Sequence, residues 1–468
     1  MAHVVVVGAG TCGLAAAALL AEDGHEVTVL ERDPQPAPSS APAAWQSWVR
    51  HGVAQFRQAH GLHAGASRLL DTHLPNVSHA LAAAGGVRFN QLTPLPPPIA
   101  QNPPQPGDDQ FLTLTGRRPV LEYAFASVAE QVVDVRRGIT VTELLCGPSA
   151  LSGVPHVTGL RTADGERIDA DLVVDASGRR SVLPRWLTAL GARPPLEEAE
   201  DSAFFYYTRY FHSPSGHPEP RVGLLTPYGS ISLLTLPADN NTWSVTIYTS
   251  SRDRALRQAR RAEVWSNIVQ ACPLQAHWLD GQPITDILCM SGTLDRYRRF
   301  TLDDTPVATG VVALGDAWAC SNPSVGRGIP LGLRHALRLR DVVRTELGNP
   351  ARLAETWNAV TETEFTPWYR ATLDGDRDRL AEIEAIAQGR ALPPPRDDAA
   401  TIRRAMLVAM AYDGEVFRAF LEIFTVLTPP DEVLARPGLL DRIMTIANDH
   451  DPLMIPGPTR QELVELVG

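Results

Sequence analysis

The first 31 residues restrict the fold more tightly than any other part of the chain. A β-branched run, Val4 to Val7, enters Gly8-Ala9-Gly10-Thr11-Cys12-Gly13. An alanine- and leucine-rich stretch, Leu14 to Glu22, follows, then Gly24 and a second strand-like run, Glu26 to Glu31. The valines predict a strand buried on both faces, Leu14 to Glu22 a helix, and the whole a βαβ unit of about 30 residues. Each glycine has a physical job. The first permits a tight turn, the second lets backbone approach a pyrophosphate, and the third lets helix and strand pack closely. The helix start offers free N–H groups and the positive end of its dipole to phosphate. Glu31 closes the second strand, where a carboxylate accepts hydrogen bonds from a ribose diol. The unit predicts a bound dinucleotide without deciding between NAD and FAD.

At 468 residues the chain exceeds the usual size of one hydrophobic core, so two or more packed regions are expected. The net charge of −11 argues against nucleic acid or an anionic membrane surface as partner. All 42 basic side chains are arginine, which excludes any mechanism that needs a lysine amine. Five cysteines, none close to another in sequence, suggest neither a disulfide framework nor a zinc site, and no metal is expected. The N-terminus lacks the basic region of a signal peptide. No stretch reaches the roughly 18 uninterrupted apolar residues of a membrane span. A reducing, cytoplasmic setting is the expectation.

Further along, Gln58 to Leu70 is expected to be helical, 94–107 with its seven prolines to be loop, and Arg118 to Val133 to be a helix with Pro119 in its first turn. Short strands are expected over 139–175, ending in the buried strand Asp171 to Asp175. Ala203 to Phe211, Arg221 to Leu225, Ser230 to Leu236 and Thr242 to Thr249 read as an antiparallel sheet, with the turn Pro-Ala-Asp-Asn-Asn before the last. A helix is expected at about 253–271, a short buried strand at Val311 to Leu314, a helix at about 328–346, and mostly helix from 350 onward.

Two later segments decide for FAD by resemblance. Asp171-Leu-Val-Val-Asp175-Ala-Ser-Gly178-Arg-Arg-Ser181 and Gly315-Asp316-Ala317-Trp-Ala-Cys-Ser-Asn322-Pro323-Ser-Val-Gly326-Arg-Gly328-Ile329 stand in order after the first glycine motif. Together the three resemble the motifs of the class A FAD-dependent monooxygenases. This is the para-hydroxybenzoate hydroxylase-like group, and the likeness is to its bacterial epoxidase- and hydroxylase-like subgroup. The chain departs from the pattern at Ala176, where the hydroxylases usually have glycine. It also lacks the common histidine after Gly-Asp-Ala-Ala, and carries Pro330 where a helix-start Asn or Thr is usual. The resemblance covers about residues 1–350. It implies an α/β architecture in three parts: a Rossmann-type FAD-binding domain at 1–195 and 300–350, an inserted antiparallel-sheet substrate domain at 196–299, and a helical C-terminal region at 351–468.

The cofactor-binding set is then Gly8, Gly10, Cys12, Gly13, Glu31, Arg32, Arg57, Arg118, Asp175, Asp316, Pro323, Gly326, Gly328 and Ile329. In physical terms, Asp316 at a strand end can accept from ribityl hydroxyls. The glycines at 326 and 328 let backbone approach the ring, and the helix after them can stabilise negative charge on the flavin. By resemblance Pro323 lies near the ring system. By resemblance Arg118 matches a helix-start arginine that reaches the cofactor, and Arg57 lies in a segment like one that crosses the cofactor in relatives; guanidinium–phosphate contact is a sound reason for either. His60, beside Arg57, reads as structural. The inserted sheet offers Phe204, Phe205, Tyr206, Tyr207, Tyr210, Trp243 and Tyr248. Tyr206, Tyr207, Tyr210 and Trp243 are the candidate substrate contacts, in a pocket suited to a hydrophobic or aromatic molecule, though aromatics also favour strands for packing alone. The basic run Arg252, Arg254, Arg257, Arg260 and Arg261 reads as the solvated face of a helix, with an NAD(P)H phosphate contact as the competing reading.

The resemblance implies a monooxygenase that hydroxylates or epoxidises a hydrophobic or aromatic small molecule in secondary metabolism. NAD(P)H is the transient reductant, and O2 adds to the flavin to give a C4a-hydroperoxide. A separate flavin reductase is the other source of electrons. No catalytic acid or base can be named, and epoxidation needs none. A dehydrogenase or reductase without oxygen insertion, and a non-catalytic flavin-binding protein, are the competing readings. A halogenase is disfavoured because that subgroup's Trp-x-Trp-x-Ile-Pro stretch and lysine are both missing.

Overall fold

The structure is a computed structural model describing residues 1–468. At its centre is a parallel sheet of five strands: His3–Val7 (β1), Glu26–Glu31 (β2), Asp134–Arg137 (β3), Leu172–Asp175 (β4) and Val311–Ala313 (β8). Its order is β8-β4-β1-β2-β3. The labels β5 to β7 belong to the inserted strands Phe204–His212, Ile231–Ala238 and Thr242–Ser250. Val4, Val5 and Val6 are fully buried, as a strand covered on both faces requires. Val7 pairs with Leu30 on one side and Asp175 on the other, and Asp175 pairs with Ala313. The carboxyl ends of β1, β4 and β8 therefore finish level, with β1 and β4 adjacent although more than 160 residues apart in the chain.

Helix Thr11–Glu22 (α1) starts directly after the glycine turn and is followed by Gly24 at φ +83°. The helix expected from Gln58 begins only at Ala64 (α2, Ala64–His73). Residues before it give their backbone bonds elsewhere: the Leu62 N–H donates to Thr115 Oγ1 at 3.0 Å, and the Leu62 carbonyl accepts from Thr113 Oγ1 at 2.5 Å. A backbone with long-range partners has no need of helical ones. The helix expected at Arg118 to Val133 starts as expected, with Pro119 in its first turn, but ends at Ala129 (α3, Arg118–Ala129). The strands expected over 139–175 include a hairpin longer than foreseen, Val141–Leu151 with Val154–Thr162.

In the inserted sheet β6, β7 and β5 lie side by side, all antiparallel. Asn240 and Asn241 take positive φ (53° and 57°), the geometry of a tight hairpin turn. The strand expected at 221–225 starts only at Leu225 and runs to Tyr228. The helix expected at 253–271 is divided into a 3-10 turn, Ala255–Arg260, and Ala262–Gln270 (α4). All five arginines of the basic run are exposed there, while Leu256 and Ala259 between them are buried.

Gly328–Glu346 (α5) has the expected bounds and packs across α1. Beyond it, Pro350–Val360 (α6) passes through one π-helical turn, Thr361–Phe365, into Thr366–Ala387 (α7). Then come Asp398–Ala409 (α8), Gly414–Phe424 (α9), Pro430–Leu434 (α10), Leu439–Asp449 (α11) and Arg460–Val467 (α12). These helices are shared among several cores. Leu353, Trp357, Phe365, Tyr369 and Leu373 join the core of the parallel sheet. Leu463 and Val467 of α12 join the core beneath the inserted sheet. Helices α8 to α11 supply a small core of their own. No helix is long and apolar enough to cross a membrane.

Candidate functional site

The first glycine turn has the geometry each glycine was expected to need. Gly8 has φ +109°, which side chains rarely adopt. A Cβ on Gly13 would overlap the Gly8 carbonyl oxygen, so helix and strand touch only because Gly13 lacks one. Gly10 is different, because a Cβ there would meet nothing within 4 Å. The turn is open on the side from which a phosphate would approach, and α1 begins there with no side chain capping its N–H groups.

Cys12 links this turn to the one past residue 315. A Cβ on Gly315 would lie 3.4 Å from the Cys12 sulfur, and one on Gly332 of α5 would overlap it. Burial is the main cause pushing the Cys12 thiol up to about 12, with Asp316 raising it and Arg118 lowering it, so both charges lie near the sulfur. The thiol is an inert packing group. Gly315 has φ +57°, and its N–H donates to His335 Nδ1 at 3.1 Å. Burial pushes His335 down to about 3, so the ring is neutral and accepts that bond. Asp316 is half-buried and accepts from no protein donor. Asp175 differs. It is buried, and its oxygens accept from the Ser177 N–H (3.0 Å) and the Ser181 hydroxyl, so this carboxylate shapes its own turn.

Glu31 is more heavily engaged than the sequence suggested. Its Oε2 accepts from the Ala9 N–H (2.9 Å) and from Arg50 Nη2 (2.7 Å), and its Oε1 from the Asp33 N–H (2.9 Å). A ribose hydroxyl would find one acceptor position left on Oε1. Arg50, which sequence reasoning missed, also pairs with Asp33 (3.3 Å) and Glu122 (2.8 Å). Arg118 donates through Nε to Glu122 at 2.7 Å, and its Nη groups have no protein partner. Three buried carboxylates thus share two guanidiniums, one of which keeps donors free near Cys12. Arg32 is exposed and lies beside Gly52.

Arg57 is held by the Trp45 and Trp48 carbonyls and stacks over the Trp45 ring at 4.8 Å. It lines an open groove of about 360 Å³ between that loop and the inserted sheet, with Gln46, Ile284, Thr285 and Leu288. His60 Nδ1 donates to the Gln58 carbonyl at 3.0 Å, and burial with Arg118 nearby pushes it down to about 3.

On the ring side, Asn322, Pro323, Gly326, Gly328 and Ile329 form one turn leading into α5. A Cβ on Gly326 (φ +66°) would sit 3.3 Å from His63 Nε2, whereas one on Gly328 would meet nothing within 4 Å, and both glycines are exposed. Ile329 is buried, its helix start facing the same opening. Tyr206 donates to Asn322 Oδ1 at 2.8 Å, at the third turn, and Tyr210 to Gln58 O at 2.9 Å, in the loop that carries Arg57. Tyr207 and Trp243 reach neither. Successive strand residues point to opposite faces, and these two are buried in the helix-covered core with Trp265 and Leu463. Trp243 donates to Trp278 O at 2.8 Å. They are removed from the substrate-facing set. Period-two alternation along Phe204–His212 was the signal that could have separated Tyr206 from Tyr207. The same face carries Tyr248, Leu234 and Leu236, the last two half-buried.

Sequence reasoning also missed Asp295 and Asp376, which flank Asn322. Burial is the main cause pushing them up, to about 6 and about 7.

The family model for FAD dependent oxidoreductases matches residues 3–92, and that for tryptophan halogenases matches residues 123–189. Protein Rv3254 of Mycobacterium tuberculosis is 28% identical over 397 residues, 78% of each chain. The Diels-Alderase PyrE3 of pyrroindomycin biosynthesis superposes with TM-score 0.57 at 18% identity, over 90% of this chain and 80% of its own. The protein pqsL, a probable FAD-dependent monooxygenase from Pseudomonas aeruginosa, superposes with TM-score 0.59 at 16% identity, over 82% of this chain and 99% of its own. At such identities the structures show the fold. The halogenase match runs from within α3 to the helix after Asp175. Residues 3–92 thus match the FAD dependent oxidoreductase model, and the chain has the fold seen in the probable FAD-dependent monooxygenase pqsL.

Proposed function

We propose that this protein is a monooxygenase that hydroxylates or epoxidises a hydrophobic or aromatic small molecule of secondary metabolism, with NAD(P)H as transient reductant. The observation that carries the reading is the meeting of the first and third turns at Cys12, with the unpartnered Asp316 carboxylate and the free Arg118 Nη groups beside it. Gly8, Gly10 and Gly13 with the start of α1 hold the pyrophosphate. Glu31, oriented by Arg50, receives a ribose hydroxyl, and Asp316 a ribityl hydroxyl. Arg118, beside Cys12, meets negative charge through its free Nη groups. Pro323, Gly326, Gly328 and Ile329 border the ring. A bound FAD supplies two-electron redox chemistry and, once reduced, activation of O2.

The residues of this chain position and enclose. Tyr206 fastens the inserted sheet to the third turn and Tyr210 fastens it to the loop that carries Arg57. Burial raises both phenols, so neither is a base at neutral pH. With their hydroxyls engaged, the sheet presents Leu234 and Leu236 toward the opening, an apolar surface suited to an apolar substrate and to excluding water. The complete absence of lysine sets this chain apart from a lysine-dependent halogenase mechanism.

The test is to reconstitute the protein with FAD and screen aromatic and polyketide-like compounds for stimulated NAD(P)H oxidation under 18O2. One labelled oxygen atom in the product is expected. Turnover with no label would replace the reading with dehydrogenation or reduction. No NAD(P)H oxidation, even with a flavin reductase supplied, would leave a flavin-binding protein without this activity.

A further inference from the structure

The ring-side turn is gripped by two carboxylates that belong to no glycine motif. Asp295, on the strand Leu294–Arg299, accepts from the Asn322 backbone N–H. Asp376, in the middle of α7, accepts from Asn322 Nδ2 at 3.3 Å and from the Ser324 hydroxyl. Asn322 Oδ1 in turn accepts from Tyr206 (2.8 Å) and Thr293 (3.1 Å). Both acids are buried, at 0% and 6% exposure, and neither forms a salt bridge. Arg327 is near enough to lower Asp376, but its own donors go to Thr372 (3.2 Å) and the Ile423 carbonyl (3.4 Å).

A buried acid without an ion pair is costly, and its retention needs a reason. The bonds name one. Asp376 holds two of the three residues Asn322-Pro323-Ser324, one on each side of the proline. Pro323 has no N–H of its own to fix it. Its placement depends on its neighbours, and both neighbours are tied to one carboxyl group.

We propose that Asp376 is a positioning residue for the flavin ring: it clamps Asn322 and Ser324 so that Pro323 and the following glycines keep their place, making α7 of the C-terminal region part of the flavin pocket. This rests on the reading of 322–328 as the ring-facing turn. Asp376 touches neither substrate nor cofactor and acts through the turn.

The test compares Asp376→Ala, Asp376→Asn, Ser324→Ala and Arg403→Ala in the full chain loaded with FAD. Arg403→Ala breaks an ion pair of α7 at Asp378 (2.7 Å) without touching the turn. The readouts are FAD affinity, the visible flavin spectrum and thermal stability, measured together. Asp376→Ala is expected to weaken FAD at least about tenfold and to shift the visible bands, since small misplacements at a site have large effects. Asp376→Asn keeps one acceptor oxygen and should fall between Asp376→Ala and wild type, as should Ser324→Ala. Arg403→Ala should leave affinity and spectrum at wild-type values. The proposal is overturned if Asp376→Asn and Ser324→Ala fold and show wild-type affinity and spectrum, or if Arg403→Ala shifts the spectrum as much as they do. Failure of the wild type to take up FAD would instead overturn the flavin reading beneath it.

Discussion

The two ends of the crevice are built from different materials. At the amino-terminal end the turn is made of backbone: Gly8, Gly10 and Gly13 lie within six residues, and their spacing alone creates the close helix–strand contact and the open face. At the ring end the turn is held by side chains from far away: Tyr206 from β5, Asp295 from the strand Leu294–Arg299, Asp376 from α7 and His63 from the segment before α2. A backbone-built site is set by local covalent geometry. A side-chain-built site forms only after the rest of the fold has assembled, and it can be retuned one contact at a time.

The comparison would break if the two ends responded alike to substitution. Gly10→Val is expected to have the largest effect on binding. The added side chain enters open space, so the fold survives, but it fills the approach to the helix start. Loss of FAD with an unchanged melting temperature is the outcome, and retained FAD would contradict the assignment of that face. Next comes Arg50→Ala, which leaves Glu31, Asp33 and Glu122 with one cation fewer. Removing one partner from a buried ionic group costs about 3–5 kcal/mol, so denaturant unfolding should show a large loss of stability.

The ring end should show pH dependence. Burial holds Asp376 up at about 7, with Asp295 raising it further and Arg327 and its bonds to Ser324 and Asn322 lowering it. In an unfolded chain an aspartate titrates near ~3.9. The folded state therefore binds this proton more tightly. The contribution is fully present below the unfolded value and is lost as pH rises through the folded one. Asp376→Asn cannot titrate, so its stability relative to wild type should improve as pH rises from about 4 to about 7. A gap independent of pH would show that Asp376 does not titrate in this window. The smallest effect is expected from Tyr206→Phe, which removes one hydrogen bond to Asn322 and should cost about 1 kcal/mol while altering the flavin spectrum. Tyr207→Phe, on the other face, should leave the spectrum alone.

The same contrast explains what could be read in advance. The βαβ unit, the strand entering Asp175 and the helix 328–346 were legible because each is announced by residues adjacent in sequence. Tyr206 and Tyr210 were legible as aromatics of a sheet, but Tyr207 and Trp243 were placed on the wrong face because composition was weighed above alternation. Arg50 carried no local signal. Its role follows from three acids that become neighbours only when β2, its following loop and α3 pack together. Asp376 lies within an ordinary helical pattern 54 residues from Asn322. The C-terminal helices were recognised as helices, but which core each one joins depends on contacts that periodicity does not encode.

The central claim is that the first and third turns bind one FAD between them. The most direct measurement is titration of apoprotein with FAD, comparing wild type with Gly10→Val and Asp316→Ala. The account expects one FAD per wild-type chain, none for Gly10→Val, and weakened binding with a perturbed flavin spectrum for Asp316→Ala. A wild-type protein that stays colourless, or an Asp316→Ala variant that binds FAD with unchanged affinity and spectrum, would contradict it.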